Sequence, residues 1–76
     1  MSNTQLEQLM QRDEFRILRE CLEALPEKFR VAVTLHHLDG LTFPQIADAL
    51  GCSERSARNW VTGALKRLRR CMEEQR

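Results

Sequence analysis

Two helix-start signals eleven residues apart, with one glycine between them, restrict this chain more than any other feature. In the stretch LTFPQIADALGCSERSARNWV, residues 41–61, Thr42 is followed three positions later by Gln45, the pattern of a capping box, and Pro44 falls in the first turn, where a missing N–H costs nothing. Phe43, Ile46, Ala47 and Leu50 then recur at helical spacing, and Gly51 stands where a residue free to take a left-handed conformation ends a helix. Ser53 caps a second helix at once. A helix of about eight residues, a tight turn and a second helix leave few arrangements open. Ala47 faces the crossing, Gly51 makes the turn, and Ile46, Leu50 and Val61 lock the pair, as a helix-turn-helix requires.

The rest of the chain is helical in the same terms, with no competing strand alternation. Thr4 and Glu7 form a capping box, and a first helix is expected over about 4–24. Its apolar stripe is Leu18, Cys21, Leu22 and Leu25, extended less regularly by Leu6, Leu9 and Met10. Leu25-Pro26 breaks it and opens a second helix over about 26–38, striped by Phe29, Ala32, Val33 and His36 and closed at Asp39-Gly40. The third and fourth helices are expected at about 43–50 and 54–74, the last striped by Ala57, Val61, Ala64, Leu68, Cys71 and Met72. The expected fold is all-α: one four-helix domain over 1–76 with a C-terminal helix-turn-helix.

Composition limits what such a domain does. At 76 residues it has room for a small core and no deep substrate cleft. No Ser-His-Asp order, phosphate-binding glycine loop or paired inward carboxylate occurs, so an enzyme and a small-molecule substrate are not expected. His36 and His37 are adjacent and point about 100° apart on a helix, a poor metal pair and a natural complement to a helix C-terminus. Cys21, Cys52 and Cys71 are odd in number and widely spaced, matching neither a disulfide framework nor a zinc site. Reduced thiols in a cytoplasmic protein are therefore expected, with no metal and no cofactor. No apolar run is long enough for a signal peptide or membrane span.

Charge is divided unevenly. Residues 1–50 carry five basic against eight acidic side chains, and residues 51–76 seven against three. Between Arg55 and Arg70 there are six basic residues and no acidic one. The fourth helix thus turns Arg55, Arg58, Asn59, Thr62, Lys66 and Arg69 away from its apolar stripe. Arg and Asn make bidentate contacts to guanine and adenine edges, while later basic residues meet phosphates. A solvated face on the corner of a plain bundle remains the alternative to a DNA surface.

The segment ALPEKFRVAVTLHHLDGLTFPQIADALGCSERSARNWVTGALKRLRR, residues 24–70, resembles domain four of bacterial RNA polymerase sigma factors, in particular the extracytoplasmic-function (ECF) group. The likeness rests on Leu25-Pro26, Asp39-Gly40-Leu41-Thr42, Ile46-Ala47, Leu50-Gly51, Ser53 and the ALKRLRR tail. It implies recognition of the −35 promoter element by the fourth helix, docking on the flap of the polymerase β subunit, and an anti-sigma factor able to cover the domain. It places base reading at Arg58 and Asn59, and backbone contacts at Arg55, Ser56, Thr62, Lys66, Arg67 and Arg69. Trp60, Gly63 and Leu65 depart from the group, which frequently has basic residues there; Trp60 and Leu65 are candidates for a protein-partner surface. Two other readings are carried with it: a protein-interaction module of the same fold with little DNA affinity, and a dimeric helix-turn-helix regulator. A whole sigma factor also has a domain that opens the −10 region, which 76 residues cannot include, so either an excised domain or a free-standing relative is expected.

Overall fold

The computed structural model describes residues 13–75, and among them the chain is all-helical. The helices are α1 (Asp13–Ala24), α2 (Glu27–His37), α3 (Phe43–Leu50) and α4 (Glu54–Glu74). The Thr4–Glu7 capping box, Leu6, Leu9, Met10 and the expected first part of the first helix lie outside the described residues.

Each boundary has a local cause. Pro26 stands just outside α2 as its N-cap, with φ −54° and ψ 148°, the extended conformation that lets the chain turn between two helices. At the far end of α2, Gly40 adopts φ 74°, and the Leu41 N–H donates back to the Leu35 carbonyl at 2.9 Å. The α3 capping box is complete: the Gln45 N–H donates to Thr42 Oγ1 at 3.3 Å, and the Thr42 N–H to Gln45 Oε1 at 2.8 Å. Gly51 closes α3 at φ 69°, and the Cys52 N–H returns to the Ala47 carbonyl at 3.0 Å. Ser53 Oγ then accepts the Ser56 N–H at 3.0 Å, starting α4.

Helix α4, 21 residues and about 31 Å long, is the spine against which the other three pack. Its buried stripe, Ala57, Val61, Ala64 and Leu68, is shared between two core clusters. The N-terminal half joins Ala57 and Val61 to Ala32, Ile46 and Ala47. The C-terminal half joins Ala64 and Leu68 to Cys21, Leu25 and Val33. No polar or charged side chain is buried among the described residues.

The expectation of three reduced thiols is corrected. Cys21 and Cys71 form a disulfide across 50 residues of chain, with Cα atoms 5.8 Å apart, and Cys52 is the free thiol. Both residues belong to apolar stripes, one on α1 and one near the end of α4. Packing those stripes together brings the sulfurs within bonding distance. Spacing along the chain carries no trace of that meeting.

Candidate nucleic-acid interface

The opposite face of α4 is what the small residues beneath it leave free. Ala57 and Ala64 are fully buried, so α2 and α3 approach closely, while Arg55, Arg58, Asn59, Thr62, Lys66, Arg69 and Arg70 are all exposed. Arg55, Asn59, Thr62 and Lys66 lie at successive three- and four-residue steps and form one stripe. Arg58 borders it on the α3 side, where its guanidinium carbon is 5.1 Å from the Phe43 ring centroid and its Nη2 is 3.5 Å from Glu54 Oε1.

Other residues named from sequence fall elsewhere. Ser56 is half-buried, and its hydroxyl accepts from Ser53 Oγ at 2.9 Å, so it takes part in the cap. Arg67 leaves the stripe: its guanidinium carbon lies 4.5 Å from the Phe29 centroid, on the flank facing α2. Phe29 also accounts for Gly63, since a Cβ there would stand 3.0 Å from Phe29 Cε1. The bare backbone makes room for the ring.

Trp60 and Leu65 do not share a surface. Trp60 is half-buried where α2 begins, in a hollow with Pro26, Val31 and Leu50, and Lys28 Nζ lies 5.6 Å from its ring centroid. Leu65 is 39% exposed and borders a separate apolar cleft between α1, α2 and α4, lined by Leu18, Leu22, Val33, Leu38 and Leu68. Leu38, one residue past the end of α2, is 76% exposed at its rim. The sequence signal for this cleft is an apolar residue beside the Asp39-Gly40 stop that belongs to no buried stripe. No group of three His, Cys, Asp or Glu able to hold a metal occurs among the described residues, and no described helix is long and apolar enough to cross a membrane.

Comparison with known proteins places this geometry. The family model "Sigma-70, region 4" matches residues 15–68. The ECF RNA polymerase sigma-E factor of Escherichia coli (strain K12) is 41% identical over 56 residues, covering 72% of this chain and 29% of that protein; its Salmonella typhi counterpart gives the same values. The ECF RNA polymerase sigma factor SigK of Mycolicibacterium vanbaalenii is 32% identical over 60 residues, 79% of this chain and 31% of that protein. The chain therefore spans about three-tenths of the length of these curated relatives. No solved structure gives a significant match. A helix-turn-helix with a basic outer face and a family match across all four described helices lead to one assignment: the chain belongs to the sigma-70 region 4 family, in its ECF group.

Proposed function

We propose that this domain binds the −35 promoter element through the exposed face of α4 during transcription initiation, in complex with RNA polymerase. The observation that carries this reading is the stripe of Arg55, Asn59, Thr62 and Lys66, bordered by Arg58, on a helix whose other face is locked by alanines. Arg58 and Asn59 read base edges in the major groove. Arg55, Thr62, Lys66 and Arg69 hold phosphates, and Ser56 supports the helix start beside them. Arg67, leaning on Phe29, contributes least to the DNA surface. With three cations on phosphates, Arg55, Lys66 and Arg69, the log–log salt slope of binding is about −2.7.

Polymerase docking uses a different face. The cleft rimmed by Leu38 and Leu65 is apolar and open, and it lies on the flank of α4 away from Trp60. We assign it to an apolar segment of the polymerase β flap, and an anti-sigma factor covering the same cleft would compete for it. This separation also accommodates the protein-interaction reading: one module holds DNA on one face and polymerase on another.

The test is fluorescence anisotropy of labelled duplexes, selected from a randomised pool at low salt. Trp60 emission is a poor reporter, because its ring sits against α2 and not on the DNA face. Arg58→Ala costs about 1–3 kcal/mol on the preferred duplex and relaxes the preference at one base pair. Equal weakening on all duplexes moves Arg58 to the phosphate class, and no saturable binding to any duplex overturns the DNA reading. Leu38→Asp with Leu65→Asp abolishes capture by core polymerase while duplex binding persists; retained capture overturns the docking assignment. Sedimentation as a monomer at high micromolar concentration counts against a regulator that reads paired half-sites.

A further inference from the structure

Phe43 opens α3, yet its ring is only half-buried, at the edge of the helix-turn-helix cluster. Two contacts converge on it. The His36 imidazole is stacked against it, with 4.6 Å between centroids and 16° between planes. The Arg58 guanidinium carbon lies 5.1 Å from its centroid. His36 is itself anchored: its Nδ1 is 2.8 Å from the Leu41 carbonyl oxygen. A carbonyl only accepts, so Nδ1 carries the proton and donates it. His37 abuts the same imidazole edge-on, with centroids 4.9 Å apart. An unbroken series of contacts thus runs from the α2–α3 loop backbone through His36 and Phe43 to Arg58 on α4.

The other restraint on Arg58 is weak. Its 3.5 Å pair with Glu54 joins side chains that are 59% and 53% exposed, a geometry that holds an arginine loosely. The ring contact differs in kind. A guanidinium lying over an aromatic face keeps its in-plane N–H groups free for a flat, two-point acceptor such as a guanine edge. It also enters the complex with less rotamer freedom left to lose.

We infer that Phe43, backed by His36, is a positioning residue for Arg58, setting how that guanidinium meets a base edge and hence how sharply the domain discriminates between promoter sequences. This rests on the reading of Arg58 as a base-reading residue. Phe43 acts on discrimination and leaves the phosphate contacts alone. Its signature is therefore a change in the preferred-to-substituted affinity ratio at the base pair read by Arg58, without a change in non-specific affinity or salt slope.

The experiment compares Phe43→Leu and Phe43→Tyr, each alone and combined with Arg58→Ala, by anisotropy on the preferred duplex and on duplexes substituted at the Arg58-dependent base pair. Helical circular dichroism and a melting curve accompany each variant. Phe43→Leu should lower the ratio roughly two- to five-fold, the size expected for one solvent-exposed cation–π contact, while Phe43→Tyr retains it. With Arg58→Ala already in place, Phe43→Leu should lower it no further. His36→Asn, which removes the stacked ring and leaves Phe43 in place, should move the ratio in the same direction and serves if Phe43→Leu does not fold. An unchanged ratio in folded variants, or an equal loss with and without Arg58, overturns the positioning role. If Arg58→Ala itself leaves discrimination intact, base reading by Arg58 and this inference fall together; if Arg58→Ala relaxes it and Phe43→Leu does not, only the inference falls.

Discussion

The two halves of α4 are built differently although they form one continuous helix. The N-terminal half is gripped by a short, doubly capped helix through small residues, with Ile46, Ala57 and Ala32 fully buried. Close packing beneath leaves a polar, basic face above. The C-terminal half is held by α1, by larger and less completely buried side chains, and by the Cys21–Cys71 bond. It leaves an apolar cleft open at Leu38 and Leu65. One half is thus held by shape, with a polar, basic outer face. The other is stapled covalently and keeps apolar surface uncovered. Under the proposed function the two partners meet different faces of this helix, DNA the outer stripe from Arg55 to Arg69 and polymerase the cleft on its flank.

Perturbing each half separately tests that division. The largest effect should come from reducing the disulfide: closing 50 residues of chain stabilises by about 4 kcal/mol in the chain-entropy model. Denaturant unfolding with and without reductant measures it. Native-state hydrogen exchange should place the lost protection in α1 and the end of α4, and uniform loss along α4 would mean that the halves are not separable. Next, Ile46→Ala, at the fully buried centre of the other cluster, should cost about 3 kcal/mol. It should weaken duplex binding ahead of polymerase capture, and the reverse order would break the assignment.

Gly63→Ala should be smaller and informative in sign. Overpacking against Phe29 costs roughly 1–3 kcal/mol, partly offset by about 1 kcal/mol of helix propensity, so a net loss near 1 kcal/mol is expected. In a Phe29→Leu background the same change should stabilise; thermal melts of the three variants and the parent protein decide it. Ser53→Ala removes the acceptor for the Ser56 amide and should cost about 1 kcal/mol, read as earlier melting with duplex affinity on the preferred site reduced. A loss of polymerase capture with duplex affinity intact would tie this cap to the wrong half.

Much of this was legible in the chain. The caps at Thr42 and Ser53 and the left-handed glycines at 40 and 51 have the roles expected, because each is decided by residues within a few positions of itself. The apolar stripe of α4 is buried or half-buried throughout, since the helical period alone sets which residues share a face. The candidate site was partly legible for the same reason: Arg55, Arg58, Asn59, Thr62, Lys66 and Arg69 had to lie away from the stripe, and all six are exposed. Arg67 was placed with them by the family resemblance, but a large ring from α2 draws it aside.

What local pattern determined, then, is where helices begin, where they end and which face each buries, because capping and periodicity act within one or two turns. Tertiary structure alone decided the rest: that Cys21 meets Cys71, that Phe29 fills the space over Gly63, that Trp60 and Leu65 serve different surfaces, and that Phe43 reaches Arg58. Each of these depends on the relative placement of two helices. That placement follows from the summed packing of whole faces, and no short stretch of sequence contains it.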